Sequence, residues 1–227
     1  MAEPNVARYP EPLPAGGRSF RSAIPNAALQ TIQAGSLRHT YKGIPFLKNP
    51  FDLALYAQLI WREKPATILE IGSYEGGSAL WFADQMVAFG LRPNVISIDV
   101  ASVAGVAQTG VQFLAGDARD LARALSPDIL DRLPRPWFVV EDSNHIASTC
   151  RAVLDFFHTQ LVTGEYIAIE DGIVTDLGIA DQFEGGPSCA VAAFLAAHPG
   201  AYEIDVRYCD HFGYNFTYNI NGYLRRL

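Results

Sequence analysis

Between residues 67 and 169, five short apolar runs alternate with longer stretches in which apolar positions recur every three or four residues. The runs are Thr67 to Ile71, Val95 to Val100, Val111 to Ala115, Trp137 to Val140 and Tyr166 to Ile169. A run that is apolar throughout is covered on both faces, and alternation with helices requires crossover connections. The pattern therefore predicts an α/β fold with a mostly parallel sheet and helices on both faces. Helical spacing appears at Leu80, Ala83 and Val87 after the first run, and at Ala152, Leu154, Phe157 and Leu161 after the fourth. Ahead of the sheet, Asn49-Pro50-Phe51-Asp52 supplies an N-cap, a proline at the first helical position and an acid in the first turn. Leu53, Tyr56 and Ile60 follow on one face, so a helix is expected from about residue 50 to residue 63.

Beyond Pro187 the pattern predicts a helix to about His198, then extended chain at Tyr202 to Tyr208 and Asn215 to Arg225. The last stretch, broken by Asn219 and Asn221-Gly222, is expected to close the sheet as an antiparallel C-terminal hairpin or as edge strands. Residues 1–23 carry Pro4, Pro10, Pro12, Pro14 and Gly16-Gly17, a composition that favours extended chain, and read as a flexible N-terminal arm. Residues 24–227 then form one domain, with no internal repeat.

Composition narrows the function. With 49% hydrophobic and 18% charged residues, a chain of 227 residues buries an ordinary core, which excludes global disorder and rod-like folds. Seventeen basic against 24 acidic residues give a net charge of −7. Without a basic stripe, that balance argues against nucleic acid and anionic membrane and leaves small molecules as the expected partners. Cys150, Cys189 and Cys209 are odd in number and widely spaced, which suits a reducing compartment. The N-terminal stretch lacks the basic-then-apolar order of a secretion signal, and the longest apolar run, Cys189 to Ala197, is well short of the ~18 residues that span a membrane. A cytoplasmic location is expected.

The first run ends in Glu70-Ile71-Gly72-Ser73-Tyr74-Glu75-Gly76-Gly77-Ser78, a glycine-bearing turn between strand and helix. Ligands of open parallel sheets collect at such carboxyl ends. A nicotinamide fingerprint needs glycine two residues after Gly72, where Tyr74 stands. The spacing E-x-G-x-x-x-G instead resembles the first motif of class I S-adenosylmethionine (SAM) methyltransferases. Glu70, Gly72, Ser73, Tyr74, Gly76 and Ser78 are then the candidate cofactor residues. Asp99, ending the second run, is placed to accept the ribose hydroxyls, and Asp117 after the third to read the adenine. The competing reading makes these a tight turn and solvated acids.

Asp142 follows the fourth run, and Glu170 and Asp171 follow the fifth, so a parallel sheet brings all three to one edge. Converging carboxylates repel unless a cation lies between them, and an all-oxygen set suits Mg²⁺ or another hard divalent ion. Acids at strand ends also occur simply solvated. His145, three residues after Asp142 at the expected opening of a helix, is a candidate general base, since an ordinary imidazole titrates near ~6.5. It could equally cap that helix. His39, His158, His198 and His211 have no comparable company and read as structural or surface residues.

Tyr41-Lys42-Gly43-Ile44-Pro45, Lys48-Asn49-Pro50-Phe51-Asp52, Lys64-Pro65, Leu69-Glu70-Ile71-Gly72-Ser73 and Gly76-Gly77-Ser78-Ala79 resemble the cephalosporin hydroxylase / rhamnosyl O-methyltransferase family. Phe194-Leu195, His198-Pro199, Asp205 and Asn221-Gly222-Tyr223-Leu224-Arg225-Arg226 agree with it, so the resemblance runs from about residue 39 to the end. It implies a Rossmann-like class I methyltransferase that moves the methyl group of SAM, with Mg²⁺, to a hydroxyl of a sugar or natural-product scaffold, as in antibiotic biosynthesis. In the similar macrolide-sugar O-methyltransferases the metal acids are an Asp followed by a Glu-Asp pair 28 and 29 positions on, which matches Asp142, Glu170 and Asp171. Their catalytic His lies three residues after the first Asp, matching His145, where catechol-type enzymes carry Lys. The resemblance further implies a homo-oligomer, and Ile173 to Gly186, with Asp176, Asp181, Phe183 and Glu184, is the expected substrate loop, the N-terminal arm being the other candidate. Two other functions compete: a methyltransferase-like binding or assembly protein without turnover, and a hydroxylase. The latter calls for two histidines and a carboxylate, whereas one histidine falls in the cluster.

Overall fold

The computed structural model describes residues 17–227. Most of the expected arm, residues 1–16, lies outside the described residues. Residues 17–23 run along the C-terminal loop, where Arg18 is buried, with its guanidinium donating to Asp210 at 2.5 and 2.8 Å and to Asn221 at 2.8 Å. The packed body therefore starts at about Arg18.

After α1 (Asn26–Ser36), a two-stranded hairpin of β1 (Thr40–Tyr41) and β2 (Ile44–Pro45) leads into α2 (Pro50–Glu63). Asn49 caps α2 as its residue type predicts, with its side-chain oxygen accepting from the N–H groups of Phe51 and Asp52. The buried face is Leu55, Tyr56, Leu59 and Ile60, which leaves Leu53 at its margin. Then come β3 (Thr67–Ile71), α3 (Gly77–Ala88), β4 (Val95–Asp99) and β5 (Val111–Ala115). Two single turns, α4 (Leu121–Ala124) and α5 (Pro127–Leu130), precede β6 (Trp137–Glu141), α6 (Ala147–His158) and β7 (Tyr166–Ile169). Finally α7 (Gly186–Ala197), β8 (Tyr202–Ile204), the short α8 (Val206–Cys209) and β9 (Tyr223–Arg226) complete the chain.

The main sheet has the order β5-β4-β3-β6-β7-β9-β8. Its first five strands are parallel, and β9 pairs antiparallel with both β7 and β8. The α/β class, the mostly parallel sheet and the antiparallel C-terminal pair are as the apolar pattern predicts. From β3 the chain first builds outward through β4 and β5, then returns to the other side of β3 with β6. The topological switch point thus lies between β3 and β6, where open sheets hold their ligands.

Three details differ from the sequence reading. The stretch expected to be extended from Tyr202 to Tyr208 is strand only to Ile204, because Asp205 accepts from the Arg207 N–H and caps the helical turn α8. Val87 on α3 is 56% exposed, because the first two turns of that helix are already buried all round and its last turn emerges from the core. The final strand begins at Tyr223 and not at Asn215. Residues 215–222 form a buried polar loop in which Asn215, Thr217, Asn219 and Asn221 are each fully buried. Asp52 organises it: one carboxylate oxygen accepts from Thr217 Oγ1 and from the Tyr223 hydroxyl (3.0 Å), the other from Asn49 Nδ2 and the Tyr218 N–H (2.9 Å). Asp52→Asn would turn an amide N–H₂ toward one of these pairs of donors. Leaving two buried donors without an acceptor is expected to lower stability by ~2–4 kcal/mol, read as a lower urea midpoint with unchanged slope.

Candidate active site

The carboxyl ends of β3 and β6 meet closely. The Asp142 N–H donates to the Ile71 carbonyl at 2.8 Å, and a Cβ placed on Gly72 would lie 2.0 Å from the Asp142 carbonyl oxygen. Gly72, at φ +105°, is therefore glycine because another strand end occupies the space, as well as for approach to a ligand. The turn that follows is tied to β4, with the N–H groups of Ser73 and Tyr74 both donating to Asp99 Oδ2 at 2.9 Å.

Two depressions flank this junction, and Gly72 and Ser143 border both. One, of about 290 Å³, is lined by Asp99, Val100, Gly116, Asp117, Ser143 and Asn144 at the ends of β4 and β5. It receives the two acids assigned to ribose and adenine. Asp117 is held there by Arg119 (2.8 Å), whose charge and hydrogen bonds bring its carboxyl down to about 2. The other, of about 300 Å³, is bordered by Ser73, Tyr74, Ser78, Asp142, His145 and Asp171. Glu70 lines neither. It is fully buried beneath the turn, where Ser97 donates to one of its oxygens and burial raises it to about 7. Its part is to support the turn from below. Gly76, at φ +90°, starts α3 and packs on Phe113.

In the second depression, Asp142, His145 and Asp171 each present a ligand atom, all within 4.8 Å of one another. His145 Nε2 is 3.4 Å from Asp171 Oδ2. Both residues have left-handed backbone, at φ +59° and +53°, a conformation rare for side chains beyond Cβ and common where geometry serves a site. His145 precedes α6 by two residues and does not open it. Its ring meets Phe183 edge-on at 5.9 Å.

Glu170 is turned away from this trio. Its carboxylate accepts from the Tyr56 hydroxyl at 2.8 Å and pairs with Lys48 Nζ at 2.7 Å, and Lys48 also pairs with Asp142. The sequence assigns Glu170 to the metal set. In the structure one oxygen of Glu170 is engaged by Lys48 and Tyr56, and His145 is the third group that stands beside Asp142 and Asp171. Sequence reading gave Lys48 no role. Its signals are its place in the Lys48-Asn49-Pro50-Phe51-Asp52 motif and a cation between the apolar Phe46-Leu47 and the helix cap, and its side chain is 3% exposed.

The electrostatics fit a cation. Burial raises Glu170 well above the ordinary carboxylate range, and the Asp142 charge adds to it. Asp171 is raised to about 6 by burial and by Asp142, with His145 and Lys48 opposing. Burial lowers the His145 imidazole, but the charges of Asp171, Asp142 and Glu141 outweigh burial and raise it overall. Acids held together against their own repulsion, with oxygen donors and one imidazole at a shared point, match the donor set of a hard divalent ion.

The expected substrate loop borders the same depression through Ile173, Val174, Leu177, Ile179 and Phe183. Its acids face elsewhere. Asp176 accepts from the Ser22 N–H at 3.2 Å, and Glu184 from the Ser148 N–H at 3.2 Å.

A switch-point cleft with a glycine turn, two acids on one side and a carboxylate–imidazole cluster on the other lies where an open α/β sheet binds its ligand. Residues 34–227 match the family model "Rhamnosyl O-methyltransferase/CmcI". A Mycobacterium leprae protein named rhamnosyl O-methyltransferase is 30% identical over 193 residues, covering 82% of each chain. One of that name from Mycobacterium tuberculosis is 28% identical over 192 residues, covering 82% of this chain and 78% of its own. Among solved structures, an apo form of CmcI superposes with a TM-score of 0.67 at 24% identity, covering 84% of this chain and 77% of that one. A CmcI structure with Mg and SAM gives 0.64 at 24% identity over the same shares. The chain belongs to the rhamnosyl O-methyltransferase/CmcI family and is a SAM-dependent O-methyltransferase. Among the described residues, no helix is long and apolar enough to cross a membrane.

Proposed function

We propose that this protein transfers the methyl group of SAM to an aliphatic hydroxyl of a glycoside or similar natural-product scaffold, in a reaction that requires a divalent cation. The observation that carries the reading is the meeting of Asp142, His145 and Asp171 within 4.8 Å at the edge of a cavity that shares Gly72 and Ser143 with the depression holding Asp99. A donor lying across the Gly72 turn would have its ribose beside Asp99, its adenine beside Asp117 and its methyl group facing the cluster. Glu70 and Asp99 keep that turn in shape from below and from the side.

Asp142 and Asp171 would hold the cation with His145 beside them, and a hard divalent ion there supplies polarisation of the acceptor hydroxyl. His145 accepts the proton as the hydroxyl oxygen attacks the methyl carbon in line with the departing sulfur, giving a methyl ether and S-adenosylhomocysteine. An alkyl hydroxyl is a weak acid, which is the chemical reason to combine a cation with a base. Leu37, Leu47, Leu177, Ile179 and Phe183 make part of the cavity wall apolar, alongside a polar part that includes Gln33, Ser73 and Ser78. This suits an acceptor that carries apolar bulk next to its reacting hydroxyl. The names of the mycobacterial relatives support a rhamnosyl acceptor, and the CmcI structure with Mg and SAM supports the cofactor pair.

The test offers SAM with rhamnosides bearing alkyl or aryl aglycones, free rhamnose, a β-lactam nucleus and a catechol, and follows products by mass spectrometry. A glycoside or scaffold is expected to gain one methyl group, with the apolar aglycone lowering KM relative to the free sugar. Methylation of the catechol alone would overturn the acceptor class.

A further inference from the structure

Lys48 sits at the floor of the site, 3% exposed, with its ammonium between Asp142 and Glu170. The loop that carries it is fixed on both sides: the Lys48 N–H donates to the Phe46 carbonyl at 2.9 Å, and the next residue is the Asn49 cap of α2. On the far side, Glu170 is anchored by the Tyr56 hydroxyl, which in turn accepts from Asn219 Nδ2 at 2.9 Å. Lys48 and Glu170 are thus both built into the frame, and Asp142 is the partner that Lys48 shares with Asp171 and His145.

We propose that Lys48 is an internal counter-cation that competes with the divalent ion for Asp142 and Glu170, and so sets the metal affinity of the site. The inference rests on the metal-dependent reading above. Affinity of oxygen sites for hard cations follows the number of charged ligands they offer. An ammonium occupying two carboxylates lowers that number and places a like charge beside the incoming ion. The same ammonium lets the buried acids stay together when no metal is bound, since a buried carboxylate stripped of its partner is strongly destabilising. Lys48 is accordingly a positioning residue, and its removal should strengthen binding of the ion while weakening the metal-free fold.

The experiment measures Mn²⁺ binding by the electron paramagnetic resonance signal of the free ion, for wild type, Lys48→Met and Lys48→Gln, each also melted in EDTA and in saturating Mn²⁺. Lys48→Gln keeps a hydrogen-bond donor for the two carboxylates and guards against a Lys48→Met variant that does not fold. On the order of tenfold tighter binding, or more, is expected for the neutral variants, as charge count tunes such sites. Their melting temperature should fall in EDTA and recover with Mn²⁺, while that of the wild type changes less. A folded variant that binds Mn²⁺ no more tightly than a wild type that does bind overturns the proposal and leaves the metal reading intact. Absence of binding in wild type and variants alike overturns both, and binding by the variants alone supports the proposal.

Discussion

Replacing His145 with alanine is expected to lower kcat by roughly 10²–10⁴-fold, the worth of a positioned acid or base, while SAM binds as before. Nε2 lies 3.4 Å from Asp171 Oδ2, and the left-handed backbone at residue 145 aims the ring into the cavity and away from α6. A base must be neutral to act, so the rate should rise as pH passes through the imidazole range and level off above it, a limb missing from the variant. The nearby carboxylates raise this imidazole in the metal-free protein. A divalent cation would offset those charges, so the limb should fall lower in the metal-loaded enzyme than the titration of His145 without metal. Because His145 also stands within ligand distance of Asp142 and Asp171, Mn²⁺ affinity separates two roles. A base leaves it near the wild-type value in His145→Ala, whereas a ligand does not. Near-normal turnover of the variant would remove His145 from the mechanism.

Asp142→Asn should act more broadly. The residue joins the trio through its carboxylate, pairs with Lys48 and follows the strand that meets Gly72. An amide of the same shape keeps the fold, removes a charged ligand and leaves the Lys48 ammonium to Glu170 alone. Mn²⁺ affinity is expected to fall by more than the roughly 10–100-fold that outer-sphere partners are worth, and turnover at low metal should fall with it. Raising the metal concentration should restore part of the rate, since Asp171 and His145 are untouched. An Asn variant with wild-type affinity and rate would place the cation elsewhere.

The contrast between what the chain discloses and what it hides is physical. Thr67–Ile71 and Tyr166–Ile169 are strands with the bounds that the apolar runs predict, because a central parallel strand is covered on both faces, and Val111–Ala115 keeps its bounds too although it is the half-exposed edge strand, with Gln112 exposed. The start of α2 is equally legible, since Asn49 and Pro50 act through backbone chemistry that needs no distant partner. Residues 215–222 mislead for the opposite reason. Their asparagines look like breaks in a strand, yet the loop is buried and held by segments far away in sequence, with Arg18 donating to Asn221, Asn219 Nδ2 donating to the Tyr56 hydroxyl and Thr217 donating to Asp52. At the site, parallel topology is enough to bring the ends of β6 and β7 together, so Asp142 and Asp171 are placed by pattern alone. Glu170 is adjacent to Asp171 in sequence but points toward α2, a distinction that depends on Tyr56 and Lys48 filling the space on that side. Nothing local to residue 170 records them. Lys48 itself lies more than ninety residues from the acids it joins, and only the packed loop reveals it.

The central claim, methyl transfer dependent on a cation held at Asp142 and Asp171, is tested most directly by turnover with a competent acceptor after exhaustive chelation, followed by return of Mg²⁺. The account predicts loss of turnover in the chelated enzyme with SAM still bound, and recovery on adding Mg²⁺. Full turnover of the chelated enzyme would contradict it.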